Sequence, residues 1–327
     1  MKLGVAIAAI AGLAIAAYLV VFVGFDAVIS AAASLGWGGF ALFTAASFLL
    51  FVPLGASWFV LSWDGRFSRL GVFVFGRMIR DSAGEILPFS HVGGLVIGAR
   101  AVILRGETAP HAFGTTVVDM TTEMVAQVAF IAVGITLLLT NVHQTAANEN
   151  LINGLIVGLG LAFAAALVFY VLQRRGLGVV HKITARFLPA AVAHTEAVHR
   201  VIDALYAAPV RVWLSIFLHF LGWIGTACLS FLALRLMGVQ IGFGAVVAIE
   251  ALLCGIRSAA MFIPGALGVQ EAGYAMIGPL FGLPPDQALA LSLLRRARDI
   301  VIGVPVLLIW QGMEGERAFA AGKADAP

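Results

Sequence analysis

The chain has 327 residues, of which 61% are hydrophobic and only 11% are charged, and its mean hydropathy is +1.02. This composition excludes an ordinary soluble domain, because it requires several lipid-spanning segments of about 20 residues. The net charge of +3 is small and gives no reason to expect a nucleic-acid partner.

Six apolar segments are long enough to cross a bilayer, so we predict an all-α polytopic membrane protein. The predicted full spans lie at about 3–24, 37–62, 112–140, 151–173, 212–236 and 287–311. We interpret the first as an uncleaved span, because its apolar run is too long for the core of a signal peptide. Cys228 and Cys254 fall in apolar stretches, which indicates small core residues rather than a disulfide or metal pair.

Two further apolar regions, 71–104 and 245–282, are each interrupted near the middle. The first is broken at Pro88 and the second at Pro264. Proline removes a backbone donor and the neighbouring glycines disfavour helix, so each region is predicted to be a re-entrant hairpin of two short helices. Non-helical backbone at that depth has to face protein or a water-filled cavity.

The distribution of basic residues predicts the orientation. The loops at about 25–36, 141–150, 237–244 and 283–286 contain no Lys or Arg, whereas the opposite loops contain many. The positive-inside rule therefore places both termini in the cytoplasm. The first hairpin then opens to the cytoplasm and the second to the outside.

The hairpins and the spans that follow them are predicted to form an inverted repeat within a single membrane domain, 1–327. The two repeat units are 71–140 and 245–311. An offset of 176 residues superposes Pro88 on Pro264, Asp119 on Arg295 and Glu123 on Asp299. The segment 174–210, where basic and apolar residues alternate, is predicted to be a cytoplasmic amphipathic linker on the anionic leaflet. Inverted repeats with broken helices are typical of alternating-access transporters with a site near the midplane.

Seven arginines and seven carboxylates lie inside segments that otherwise resemble lipid-spanning helices. They are Arg77, Arg80, Arg100, Arg257, Arg295, Arg296 and Arg298, and Asp81, Glu85, Asp119, Glu123, Glu250, Glu271 and Asp299. A charge at the bilayer centre costs about 3 kcal/mol on insertion scales, so equal numbers predict mutual pairing around a polar pathway. The alternative is a set of buried ion pairs that only fixes helix register.

Helical spacing groups some of these charges. Asp119 and Glu123 share one helix face, and Arg295, Arg298 and Asp299 share another, from which Arg296 is turned by about 100°. Arginine suits phosphate or carboxylate because its fork binds two oxygens at once. A half-helix that begins after Pro264 would also direct its free amides at an anion.

We therefore predict a substrate-binding set and a charge-pairing set. The substrate-binding residues are Arg80, Arg257, Arg295, Arg298, Pro264, Gly265 and Gly268. The pairing or proton-coupling residues are Asp119, Glu123, Glu271 and Asp299. His219, in an apolar span, is interpreted as an interhelical hydrogen-bond donor.

Sequence motifs for chemistry are missing. There is no HExxH, CxxC pair, P-loop or GxSxG, so we expect no catalytic residue, metal or cofactor, and no enzymatic activity. Without a nucleotide motif, transport has to be downhill or ion-coupled.

The residues around both breaks resemble the flippase-like transmembrane region of lysylphosphatidylglycerol synthases. The resemblance rests on Arg80, Leu87-Pro88, Gly93-Gly94 and Arg100-Ala101 in the first half, and on the segment PGALGVQE from Pro264 to Glu271 in the second. It covers nearly the whole chain, and it departs from the family motif at Ala266, where a second glycine is usual. The sequence shows no counterpart of the synthases' aminoacyl-transferase domain, so the resemblance implies lipid movement rather than lipid synthesis.

The closing segment 295–311 is similar to the hopanoid-biosynthesis-associated branch of that family. The resemblance implies a bacterial inner-membrane lipid translocase for a hopanoid or phospholipid, with the bilayer as its surroundings and lipid-biosynthesis enzymes as candidate partners. Two alternatives stay open. One is a small-solute or ion-coupled secondary transporter, and the other is a non-transporting accessory subunit of a lipid-modifying complex.

Overall fold

The computed structural model describes residues 33, 35–86, 90–141, 146–173, 192–259, 266 and 268–324. Within these residues the chain forms ten α-helices and no strand, which confirms the predicted all-α membrane fold. The helices are α1 Gly36–Leu61, α2 Leu70–Ile86, α3 Ser90–Leu104, α4 Ala109–Asn141, α5 Ala146–Val171, α6 Val192–Tyr206, α7 Pro209–Leu236, α8 Phe243–Ala259, α9 Val269–Ile277 and α10 Pro285–Ala324. Short 3₁₀ turns at Phe67–Arg69 and Gly278–Phe281 precede α2 and follow α9.

Within the described part of the chain, three helices are both long enough and apolar enough to cross a bilayer, namely Gly36–Leu61, Ala109–Thr140 and Pro209–Leu236. They coincide with predicted spans, and they expose large apolar side chains such as Leu49, Trp213 and Phe217. α5 and α10 cover the predicted spans at 151–173 and 287–311. The predicted span at 3–24 lies outside the described residues.

The helices of the two predicted hairpins are short. α2 has 17 residues and α3 has 15, while α8 has 17 and α9 has nine. At about 1.5 Å per residue, the described length of each helix is below the roughly 30 Å of a hydrocarbon core, and α2, α3 and α8 each border residues outside the described ones. The breaks at Pro88, Pro264 and Gly265 lie outside the described residues.

The entry to α9 has left-handed backbone. Gly268, which directly precedes the helix, has φ +78°, and the buried Ala266 has φ +46°. A Cβ makes this region costly, so position 266 favours glycine for its backbone conformation as well as for its small size.

Each hairpin packs on the long helix of the other predicted repeat unit. α2 contacts α10 as well as α1 and α3, and α8 contacts α4 as well as α7 and α9. This reciprocal contact is what a two-fold repeat would produce, and the repeat itself stays a prediction.

α6 is the described part of the predicted amphipathic linker, and residues 174–191 lie outside the described residues. Ile202 and Leu205 of α6 pack with Val118 of α4 and Leu61 at the end of α1. The end of α1, the start of α4 and α6 therefore lie on one side of the molecule, which we call the first side. At the opposite, second side, Phe40 near the start of α1 shares a core cluster with the segments that precede α8 and α10.

Candidate functional site

Two arginines of α2 and two carboxylates of α4 form a closed set of ion pairs. Arg77 lies 2.5 Å from Glu123 and 3.4 Å from Asp119, and Arg80 lies 2.5 Å from Asp119 and 2.6 Å from Glu123. The three-residue spacing on α2 and the four-residue spacing on α4 direct each pair of side chains to one face. All four pairings are made, so the charges of these four residues balance.

Two further titratable residues, Asp81 and His219, contact this set. We call the six residues together the first cluster (Arg77, Arg80, Asp81, Asp119, Glu123 and His219). The Nε of Arg77 donates to Asp81 over 2.8 Å. The Nε2 of His219, on α7, lies 2.9 Å from the Oδ1 of Asp119. An ionised carboxylate only accepts, so this nitrogen donates.

His219 also lies near a serine, yet the arrangement is not a nucleophile–base–acid triad. The Oγ of Ser57 is 3.0 Å from the same Nε2 that meets Asp119, whereas a triad uses the two ring nitrogens separately. The Nδ1 of His219 is buried and has no partner among the described residues. The interhelical hydrogen bond predicted for His219 is therefore present at Nε2.

Asp119, Glu123 and His219 also offer one ligand atom each within 4.8 Å of one another, which is close enough for a metal ion. Both oxygens of Glu123 and the Oδ2 of Asp119 already accept from guanidinium groups, and the Oδ1 of Asp119 meets His219. Arginines thus occupy the positions that a cation would take, and the donor set fits a metal poorly.

A second cluster (Glu250, Tyr274 and Arg295) joins α8, α9 and α10. Tyr274 donates to Glu250 over 2.5 Å, and the Nη1 of Arg295 pairs with Glu250 and donates to the Tyr274 hydroxyl over 2.6 Å. All three side chains are buried. Our sequence-based site set omitted Tyr274 and Glu250, although a tyrosine and a carboxylate in short apolar helices are a usable signal.

The remaining predicted residues of this half pair locally. Arg298 lies 2.5 Å from its neighbour Asp299. Arg296 is turned towards α9, where it pairs with Glu271 and donates to the carbonyl of Ala266 over 3.4 Å. Rotation away from the predicted face therefore places Arg296 in contact with a predicted site residue.

The described amino end of α9 has an acidic side chain of the protein itself in its first turn, and Pro264 and Gly265, where the anion site was predicted, lie outside the described residues. Backbone amides at Gly268 and Glu271 donate to the carboxylate of Glu271, which lies in the first turn of the helix. A carboxylate at a helix start is favoured by the helix dipole. The anion at this helix end is thus the protein's own.

A central pair (Glu85 and Arg257) links the two hairpins. The Nη2 of Arg257, on α8, lies 2.6 Å from Glu85, on α2. Their side chains stay 22% and 31% exposed. The direct partner of Arg257 is thus Glu85, which our site set omitted, rather than one of the four carboxylates predicted to pair with the arginines.

The length of α1 gives the approximate distance between the first cluster and Arg298. Ser57 contacts the first cluster, and the ring of Phe43 lies 5.8 Å from the guanidinium carbon of Arg298. These two positions are about 21 Å apart along the helix, roughly two thirds of a hydrocarbon core. Glu85 is about 7 Å further along α2 than Arg80, so the central pair lies between the two clusters.

An apolar groove of about 200 Å³ opens beside the first cluster. It is lined by Thr121, Thr122, Val125, Tyr170, Tyr206, Pro209, Val212, Trp213 and Ile216, from α4, α5, α6, α7 and the short connection before α7. At its base, the hydroxyls of Thr122 and Ser215 are 2.8 Å apart, so these polar groups are satisfied. Thr122 directly precedes Glu123, so the groove and the first cluster lie on neighbouring faces of α4.

Comparison with known families gives one match. The family described as the lysylphosphatidylglycerol synthase TM region matches residues 9–306, which is most of the chain. No curated protein and no solved structure matches the chain significantly.

Proposed function

We propose, from the premise that this chain belongs to the family of lysylphosphatidylglycerol synthase transmembrane regions, that it moves a polar-headgroup lipid between the leaflets of a bilayer. Family membership and the apolar helices make it a membrane protein with a lipid-related role. The movement of lipid, its route and its substrate are the proposal.

The observation that supports the proposal is the position of an apolar groove next to charged groups at successive depths. The groove is open on the side of α4 and α7, and it touches the face next to Glu123. A lipid needs both surfaces, because its headgroup has to pass the hydrocarbon core while its chains stay apolar. A sealed polar vestibule would instead suit a small solute.

In this proposal the headgroup exchanges with the ion pairs along its route. Arg77 and Arg80 lie in the first cluster, next to the groove, Arg257 lies in the central pair, and Arg295 lies in the second cluster. A headgroup phosphate or carboxylate competes with the protein's carboxylates for these guanidinium groups, since both ligands suit the same bidentate geometry. Arg257 is the most exposed arginine of the route, so we assign the central binding step to it.

The identity of the substrate, the membrane and the orientation of the chain belong to the same proposal. The substrate is a hopanoid or a phospholipid, the location is the bacterial inner membrane, and both termini lie in the cytoplasm. The first side of the molecule is then cytoplasmic. We expect no chemical step, and lipid-biosynthesis enzymes are the partners that would supply or use the lipid.

One observation favours a second candidate, the non-transporting accessory subunit. Within the described helices, each arginine of the two clusters and the central pair has a carboxylate within ion-pair distance. Complete pairing is what a purely structural network requires. The partly exposed central pair and the open groove favour the translocase over this candidate.

The groove can be tested with matched valine variants. Val125 lines the groove and is 37% exposed, whereas Val52 is a similarly exposed valine on α1 away from it. We expect Val125→Trp to reduce both crosslinking by a lipid with a photoreactive chain and transbilayer movement of a labelled lipid in proteoliposomes. Val52→Trp should leave both unchanged. Equal movement in protein-containing and empty vesicles, for every headgroup tried, would reject the translocase.

A further inference from the structure

The first cluster contains one more acid than it has strong bases. Two guanidinium groups meet three carboxylates, those of Asp81, Asp119 and Glu123. The four residues Arg77, Arg80, Asp119 and Glu123 already balance. Asp81 therefore adds a negative charge that no further arginine compensates, at a depth where an uncompensated charge is costly.

The side chains of His219 and Asp81 differ in their exposure. His219 is fully buried between α1, α4 and α7, with Asp119 and Ser57 as its contacts. The side chain of Asp81 is 28% exposed, more than that of Glu123 or Asp119. A group that exchanges protons during a transport cycle has to be reachable, and Asp81 is the most exposed carboxylate of the first cluster.

Among the side chains that the structure describes, the other helices packed on α2 add no base to this balance. α1 contributes Ser57 and has no charged residue, and on α3 Arg100 pairs with Glu314 of α10. On α10, Arg298 pairs with Asp299, and on α8 Arg257 pairs with the Glu85 of α2 itself. The charged groups that act on Asp81 are Arg77, Arg80 and Glu123.

We propose that the first cluster binds one exchangeable proton at the carboxylate of Asp81, and that this proton couples lipid movement to a proton gradient. The coupling rests on the proposed function, whereas the proton site does not. In the step, a proton from water binds a carboxylate oxygen of Asp81, giving a neutral carboxylic acid and leaving the charges of Arg77, Arg80, Asp119 and Glu123 balanced. No other bond forms or breaks.

Protonation also changes what Arg77 can do. Its Nε then faces a neutral acid instead of an anion, while its two terminal nitrogens keep Glu123. The pair of opposite charges becomes a hydrogen bond from a cation to a neutral acid, so the Coulomb attraction between Arg77 and Asp81 is lost. Arg77 is then easier for an anionic headgroup to capture, so loading of lipid and binding of the proton favour each other.

The proton site is tested by pH-jump infrared difference spectroscopy on the purified protein, which needs no transport. We expect the carbonyl band of a protonated carboxylic acid in the wild type, its loss in Asp81→Asn, and its return in Asp81→Glu. Asp203→Asn, which changes a half-exposed aspartate of α6, is the matched control and should keep the band. Asp81→Asn is nearly isosteric, and its thermal melting and gel-filtration profile report whether it is folded.

Three results would overturn the site. The band could persist in folded Asp81→Asn. A histidine signal could titrate in its place and vanish in His219→Gln. Alternatively, the protein could bind Mn²⁺ instead of a proton, and Glu123→Gln could abolish that Mn²⁺ binding. The extra negative charge would then belong to a cation site.

The coupling is tested separately in proteoliposomes. One proton per lipid predicts a shift of about tenfold in the leaflet distribution for each pH unit across the membrane, and Asp81→Asn should abolish that dependence. Lipid movement that does not depend on the pH gradient would refute the coupling and leave the proposed function intact. If the infrared band is present but no lipid moves, the proton site is supported and the proposed function is refuted.

Discussion

At the scale of single residues, the two clusters use the same parts in opposite positions. In the first cluster the arginines lie on the hairpin helix α2 and the acids on the long helix α4. In the second, Glu250 lies on the hairpin helix α8 and Arg295 on the long helix α10. Both arrangements neutralise charge between a hairpin and the span that follows it, which stabilises the contact only while both partners are present.

Asp119 is the residue on which the first cluster most depends. It is fully buried, and it meets Arg77, Arg80, His219 and Ser57. Removing one partner of a buried ion pair costs about 3–5 kcal/mol, so Asp119→Asn should strongly lower thermal stability in detergent. Asp203→Asn, at a half-exposed position, should change stability by less than about 0.5 kcal/mol. Equal melting temperatures for the two variants would contradict the network described for Asp119.

At the scale of helices, glycines allow each hairpin to pack closely against the long helix of the other predicted repeat unit. A Cβ at Gly134, on α4, would lie 2.6 Å from the Cβ of Ala251 and 3.2 Å from the backbone nitrogen of Leu252, on α8. A Cβ at Gly303, on α10, would overlap the terminal methyl of Ile86, on α2. Small residues at such crossings allow membrane helices to approach closely.

The two glycines give a matched pair of variants. The neighbours of Gly134 are a Cβ and the backbone, which cannot move aside, whereas the methyl end of Ile86 can rotate away from Gly303. We expect Gly134→Ala to cost about 1–3 kcal/mol, as overpacking does, and Gly303→Ala to cost less. Thermal unfolding of both variants in one detergent checks the order. A smaller loss for Gly134→Ala would show that the α4–α8 contact is looser than described.

At the scale of the whole molecule, the arrangement of helices was largely predictable and the pairing of charges was not. Apolar runs and proline breaks give helix positions directly, so the predicted spans that fall within the described residues agree with the helices there. Partners depend on rotation about helix axes and on which helices meet. The spacing of Asp119 and Glu123 fixed a face, yet only tertiary packing brings Glu85 to Arg257 and Glu250 to Arg295.

The missed site residues have one physical cause. Tyr274, Glu250 and Glu85 lie on short helices whose neighbours come from distant parts of the chain. No local periodicity reports such neighbours. The anion site predicted after Pro264 stays a prediction, because Pro264 and Gly265 lie outside the described residues.

The central claim is that lipid headgroups cross at the ion pair between the hairpins, and Arg257→Ala tests it most directly. The measurement is the rate at which a labelled lipid headgroup becomes accessible across proteoliposomes containing the wild type, Arg257→Ala or Arg100→Ala. Arg100 is the matched control, since its pair with Glu314 is exposed and lies outside the clusters. We predict that the wild type and Arg100→Ala move the lipid and that folded Arg257→Ala does not. Undiminished movement by Arg257→Ala would contradict the account.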